Sequence, residues 1–342
     1  MGITHLSGLE VAGVPTMGMG GWPAFTGKWY FVDPAHGSDG NTGAADSPYA
    51  TIYMGYAQCR SGYNDVVVLV GDGSTTGTAR MSTVLAQTID STATTGTVTW
   101  SKNACHLIGM TSSSMYGRAR FAPPTGTYTA ATFGNSGNMF TVSGSGCYFA
   151  NFSVYNGFST GATGQIAFTV TGGRNSFYGV SFLGMNDAES AASTTSRSLK
   201  ISTTGENTFV GCTIGSDTTT RTAANASLEF ATAVPRNTFI ECNFPFQGNT
   251  ATIQGIVGTG AACMDRWQKF DRCTFINNIK STSTAMTALT VLTSASPGGL
   301  ILMKDATLVG IGEFGDTNGL ANTYIDGGTV TAATAGIAVN PS

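Results

Sequence analysis

Asn175-Ser-Phe177-Tyr-Gly-Val180-Ser-Phe182 is followed by Asn207-Thr-Phe209-Val-Gly-Cys212-Thr-Ile214 and then by Asn237-Thr-Phe239-Ile-Glu-Cys242-Asn-Phe244. The shared pattern is Asn-x-Phe-x-x-(Cys/Val)-x-(Phe/Ile). Weaker copies are Phe149-Ala-Asn-Phe152-Ser-Val154 and Phe270-Asp-Arg-Cys273-Thr-Phe275, and Met303-Lys-Asp-Ala306-Thr-Leu308 is a degenerate one. The leading apolar residue falls at 149, 177, 209, 239, 270 and 303, in steps of 28, 32, 30, 31 and 33. Self-similarity at such a period marks a stacked-repeat architecture.

An alternating segment precedes each motif: Phe140/Val142, Ile166/Phe168/Val170, Leu199/Ile201, Leu228/Phe230 and, less regularly, Leu289/Val291. Alternation at period two is a half-buried strand. Each repeat then holds two or three short strands separated by Gly, Asn, Ser and Thr bends, and the stretch carries no helical signal. The fold class is all-β, a single-stranded parallel β-helix. Stacking places equivalent residues about 4.8 Å apart. Phe177, Phe209, Phe239 and Phe270 form an internal aromatic ladder, and Val180, Cys212, Cys242 and Cys273 a narrower one in which Cys serves as a small hydrophobe. Asn175, Asn207 and Asn237 form an asparagine ladder at a bend.

Composition agrees. The 342 residues carry 16 Lys+Arg and 19 Asp+Glu, only 10% charged, against 41% hydrophobic and 46 Gly. A net charge of −3 supplies no basic field for nucleic acid. The Ser/Thr content predicts a neutral, hydroxyl-rich exterior. No apolar run approaches the roughly 18 residues of a membrane span, and no Lys or Arg precedes Lys28 to form a secretory n-region. Seven scattered Cys without CxxC pairs give neither a disulfide framework nor a zinc site, and fit a reducing cytosol.

Three regions emerge: 1–27, 28–97 and 98–342. In the second, Ser47-Pro48 reads as an N-cap and first helical residue, with Tyr49, Ile52, Tyr56 and Cys59 on one face and Gly62 as the stop. That short helix caps the open end of the solenoid. Residues 1–27 scatter hydrophobes among glycines with one carboxylate and no Lys or Arg. They read as an extended arm that contacts a partner through Leu6, Leu9, Val11, Val14, Met17, Met19 and Trp22; the competing reading folds the arm back on its own β-helix.

The segment Tyr30-Phe-Val-Asp33, Gly37-Ser-Asp39-Gly-Asn-Thr-Gly43, Ser47-Pro-Tyr-Ala-Thr51 and Asp65-Val-Val-Val-Leu-Val-Gly71 resembles the entry coil of pectate-lyase-like right-handed β-helix proteins. That superfamily includes polysaccharide lyases, glycoside hydrolases and many bacteriophage virion proteins. The resemblance implies the right-handed fold, and fixes fold better than function.

Candidate chemistry is sparse. Repeat alignment places Glu241 and Arg272 at equivalent positions on adjacent coils, while Asp271 aligns with Ile240. Glu241, Asp271 and Asp265 therefore read as a salt-bridged bend rather than the carboxylate pair of a glycosidase. Asp187 and Glu189 lie on a loop read as solvated charge. Asp39-Gly-Asn41 reads as a turn, without the twelfth-position Glu of a calcium loop. His5, His36 and His106 lack a nucleophile context. Trp267 beside Arg266 reads as a sugar-stacking pair or as a packing contact. Neither a catalytic residue, a metal site nor a cofactor is expected.

The expectation is a bacteriophage virion structural protein, a capsid decoration or head-associated component held by its arm. Its partners are other virion proteins (the major capsid protein, or a tail or portal component), and it assembles in the host cytoplasm. By analogy with related virion β-helices it is a homotrimer. The alternative is a receptor-binding tailspike that binds or cleaves host polysaccharide.

Overall fold

The computed structural model describes residues 10–11, 14–15, 26–71, 98–111, 115, 117, 119–121, 138–157, 165–278, 285–325 and 328–329. Among these the chain winds as a right-handed parallel β-helix with three sheets. The first sheet has eleven strands, running from Trp29–Val32 and Asp65–Val70 through Ser176–Tyr178 and Thr208–Val210 to Gly328–Thr329. The second has seven, from Arg120–Phe121 to Thr307–Val309, and the third eight, from Val98–Trp100 to Ile311–Gly315. The chain visits them in turn, so each coil stacks on the one before.

The repeat fixes the register. Phe149, Phe177, Phe209, Phe239, Phe270 and Met303 pair in line along the first sheet. Successive rings from Phe149 to Phe270 stack at 4.9, 4.6, 4.6 and 4.7 Å, within 9° of parallel. All five are fully buried. In the third sheet Phe140, Phe168, Leu199, Leu228 and Ile256 form the opposing wall. In the last coils the inward positions pass to Thr290 and Leu292, so Val291 faces out and the expected Leu289/Val291 alternation is shifted.

The asparagine ladder is a continuous hydrogen-bonded chain. The Cys147 amide donates to Asn175 Oδ1 (2.8 Å), the Asn175 amide to Asn207 Oδ1 (2.9 Å) and the Asn207 amide to Asn237 Oδ1 (3.0 Å). Gln268 continues it, accepting from Asn237 Nδ2 at 2.8 Å. These buried amides thereby find partners that the sheet does not supply at the bend. The corner that follows explains the motif glycines. Asn151, Gly179, Gly211, Glu241, Arg272 and Asp305 all adopt left-handed φ between 50° and 59°. Gly does so without the roughly 1–2 kcal/mol that a Cβ adds.

The thiols of Cys212, Cys242 and Cys273 lie 3.5 Å from the carbonyls of Phe177, Phe209 and Phe239, one coil back. All seven cysteines are free and buried. Burial pushes the Cys242 thiol well up, and Cys147 up to about 11. Such thiols are poor nucleophiles at neutral pH. Labelling with iodoacetamide should be slow in the folded protein and rapid for all seven after unfolding; fast labelling of Cys212 or Cys242 in the native state would contradict the ladder.

The capping helix is present but begins later than the Ser47-Pro48 signal indicates, at Ile52–Gln58 with Thr51 as N-cap. Tyr49 is captured instead by backbone pairing with the first strand: its amide donates to the Phe31 carbonyl and its carbonyl accepts from Asp33. Asp39 fixes the new start, accepting from the Ala50 and Thr51 amides and from the Thr51 hydroxyl. The Asp39-Gly-Asn41 turn is accounted for by these bonds. At the other end of the helix, Lys102 Nζ donates to the carbonyls of Tyr56, Ala57 and Cys59, a favourable placement of charge at a helix C-terminus. Ile52 and Tyr56 plug the core.

Several serines are buried although Ser and Thr are also common on the exterior. Ser181, Ser190, Ser196, Ser198 and Ser227 are buried, because the connections between the second and third sheets pack coil on coil against the outside of the solenoid. Thr222 bonds to Ala191, Arg221 to Gln247, and Thr218 to Asn186 across those connections. Among the described residues no helix is long and apolar enough to cross a membrane.

Candidate functional site

The outer face of the first sheet is partly open over its middle coils. Ser176, Thr208 and Thr238 align in one outward row, and Tyr178, Val210 and Ile240 in the next, all partly exposed. Inward Phe177, Phe209 and Phe239 alternate with them. Toward the N-terminal end the same face becomes apolar and buried, through Val66, Val68, Ile108, Tyr148 and Ala150.

Both long edges of this face carry ion pairs. At the edge leading to the second sheet, Arg272 Nε lies 3.1 Å from Glu241 Oε1, and Arg272 Nη1 2.8 Å from Asp271 Oδ1. Lys269 Nζ lies 3.1 Å from Asp271 Oδ2. Lys269 above all, then Arg272 and Lys304, holds the Asp271 carboxyl below its ordinary range. The register places Asp271 opposite Ile240, as the repeat alignment indicates. Asp265, in line with Pro235, sits 3.8 Å from Arg266. Glu241, Asp271 and Asp265 thus form three charge-paired positions, and the half-buried Trp267 beside Arg266 packs in register with Leu300.

At the opposite edge lies a constellation the motif reading passed over. Arg174, Glu206 and Arg236 each stand one residue before a ladder asparagine, on three successive coils. Glu206 Oε2 is 2.8 Å from Arg174 Nε and Glu206 Oε1 is 2.7 Å from Arg236 Nη1. A cleft of about 340 Å³ opens beside Arg174 and Glu206, lined also by Ser145, Thr203, Thr204 and Pro235.

Two further networks are buried. Arg197 Nε lies 2.8 Å from Glu229 Oε2, both side chains 7% exposed, and Lys200 Nζ is 3.4 Å from Glu229 Oε1. Arg221 is fully buried; it donates to Asn225, Ser227 and the Gln254 carbonyl and stacks on Phe246. Burial, with Arg197 adding to it, pushes the Arg221 guanidinium down to about 9. Asp187 is not solvated as expected: it is 8% exposed and caps the short helix Ala188–Ala191 by accepting from the Ser190 amide and hydroxyl. Burial raises its carboxyl above the ordinary range.

His106 is also buried. Its Nδ1 accepts from the Tyr148 amide at 3.0 Å and its Nε2 lies 3.3 Å from Asn64 Oδ1, which fits the neutral Nε2–H tautomer. Desolvation pushes its pKa down to about 4 from 6.5, against the opposing charge of Asp65. The neutral form is favoured by folding, so this stability is complete above pH 6.5 and is lost as the pH falls towards 4. The loss is about 3 kcal/mol. Urea midpoints from pH 7 to 4 should show this slope, and His106→Gln should flatten it; an identical slope in the variant would assign it elsewhere.

Among the described residues no group of three His, Cys, Asp or Glu side chains is placed to hold a metal ion. Of the expected arm contacts, Leu6, Leu9, Met17, Met19 and Trp22 lie outside the described residues. Val11 and Val14 pair with each other in a two-residue antiparallel ladder, their side chains outside the description.

No family model and no curated protein matches the chain. Solved structures do. The pectin methylesterase PemA from Erwinia chrysanthemi superposes with a TM-score of 0.56 at 14% identity, over 92% of this chain and 93% of that one. The pectate lyase Pel9A gives 0.55 at 15% identity, over 88% and 68%. A pectin methylesterase in complex with a hexasaccharide gives 0.55 at 14% identity, over 92% and 93%. These likenesses define the class: a right-handed parallel β-helix of the pectate-lyase-like fold.

Proposed function

We propose that this chain is a structural β-helix of a bacteriophage particle, attached through residues 1–27, and that it does not cut glycans. The observation that carries the reading is the engagement of eight carboxylates among the described residues. Glu206, Glu229, Glu241, Asp65 and Asp271 are each paired with Arg or Lys, and Asp39, Asp187 and Asp316 each cap backbone amides. Acid/base hydrolysis needs two carboxyls with separated pKa values facing one bond, and these side chains are engaged otherwise: Asp65, Glu206, Glu229, Glu241 and Asp316 bridge neighbouring coils, and Asp39, Asp187 and Asp271 bond within one. The attachment is supported by the apolar, cation-free sequence of residues 1–27 and by the resemblance to virion proteins. Mass spectrometry of purified particles, supplied with either the full chain or residues 28–342, tests it. Only the full chain should be incorporated. Equal incorporation of the truncated chain would remove the arm from the account, and absence of both would remove the virion.

A second reading is favoured by the first sheet's open face. A hydroxyl row beside an apolar row containing Tyr178 suits the polar edge and apolar face of a sugar ring, and the structures it resembles include polysaccharide-active proteins. On this reading the face binds a host glycan while the particle protein remains non-catalytic.

A further inference from the structure

The outer face of the first sheet carries an aromatic patch over its last coils. Gln268, Phe270, Ile301, Met303 and Thr323 are buried, whereas Trp267, Leu300, Leu302 and Tyr324 alternate with them on the outer side and are partly exposed. Register joins the four: Trp267 lies opposite Leu300, and Leu302 lies between Lys269 and Tyr324. Trp267 reaches this face through a β-bulge. Pro235 pairs with Asp265 and Asn237 with Gln268, so Arg236 opposes both Arg266 and Trp267, and Arg266 takes a left-handed φ of 71°. The next coil keeps the extra residue, with Gly299 where a Cβ would stand 2.5 Å from the Arg266 carbonyl oxygen. A bulge re-aims the side chain beside it, and here that side chain is an indole.

The polar tips of both aromatics are unspent. Trp100 donates its indole N–H to the Cys105 carbonyl, and Tyr49 its hydroxyl to the Thr42 carbonyl. Among the described residues, Trp267 Nε1 and the Tyr324 hydroxyl have no hydrogen-bond partner. The charges around them cancel. Arg266, Lys269, Arg272 and Lys304 lie against Asp265, Asp271, Glu241 and Asp305, four cations to four carboxylates. A charged ligand gains nothing from such a field, whereas an apolar ring face edged by hydroxyls suits an aromatic ring with a free polar tip. Trp267 and Tyr324 stand two coils apart, about 10 Å at the coil spacing, which is further than one sugar ring reaches. We propose that this patch seats an uncharged oligosaccharide lying across the coils, with one ring on Trp267 and another on Tyr324. This rests on the second reading, in which the open face binds glycan.

The test uses the full chain labelled with ¹⁵N-tryptophan, following the Trp267 indole N–H by NMR, with maltohexaose, cellohexaose and the acidic hexagalacturonate as probes. A neutral hexasaccharide should shift Trp267 saturably, with an affinity that salt leaves unchanged. Tyr324→Ala should weaken that binding about two- to tenfold, the worth of an aromatic contact. If circular dichroism shows that variant misfolded, Tyr324→Phe, which deletes only the hydroxyl, should weaken binding instead. Tighter binding of hexagalacturonate, lost on adding salt, overturns the uncharged class. Binding of purified host glycan that Tyr178→Ala weakens and Tyr324→Ala leaves unchanged overturns this patch and spares the second reading. Failure of every glycan to bind overturns both.

Discussion

Replacing Phe209 by alanine is expected to cost the folded chain about 3–5 kcal/mol, the range for truncating a buried aromatic. Phe209 is fully buried, lies between Phe177 and Phe239 at 4.6 Å on either side, and meets the edge of Phe182 at 6.0 Å. Alanine leaves a hole that the coils above and below cannot fill, because their own spacing is set by the backbone ladder. The measurement is the urea midpoint at unchanged slope. Phe209→Leu, which keeps most of the volume, should cost far less. A loss below about 1 kcal/mol for alanine would place the ring outside the core and refute the register.

Glu229→Leu is expected to be as damaging, by a different mechanism. The substitution strands Arg197, 7% exposed, without its carboxylate. Burial already pushes that guanidinium down, and Glu229 is what opposes the shift. Removing one partner of a buried pair typically costs about 3–5 kcal/mol, whereas replacing both by apolar residues is often near neutral. Combining Arg197→Met with Glu229→Leu should therefore recover most of the loss in a double-mutant cycle. If the double variant is no more stable than Glu229→Leu alone, the pair is not what holds this wall together.

The ladders are legible in the sequence, and the buried ion pair is not. The aromatic, cysteine and asparagine ladders could be read because a coil of about 30 residues brings equivalent side chains into register, so a linear repeat becomes a spatial line. The capping helix was legible in its buried face, Ile52 and Tyr56, but not in its start. Pro48 is a sound local signal, and the pairing of Tyr49 with Phe31 and Asp33 overrides it.

Glu229, Arg197 and Arg221 carry no local sign of burial. Their cover comes from connections of unequal length between the second and third sheets, whose packing depends on neighbouring coils. Arg174, Glu206 and Arg236 were within reach, since each precedes a ladder asparagine. The comparison that linked Glu241 to Arg272, extended to the position before the asparagine, finds them. Lys102, which caps the helix 43–46 residues earlier in the chain, has no sequence signal of that role.

On the proposed reading the exterior carboxylates serve structure and do not cut sugar chains. Release of reducing ends or unsaturated products from host capsular and lipopolysaccharide glycans, incubated with the full chain, tests it most directly. No release above the buffer control is expected, and unfolding midpoints should fall when Glu206 or Glu241 is replaced by glutamine. Sustained release that Glu206→Gln or Glu241→Gln abolishes in a protein still folded would contradict it.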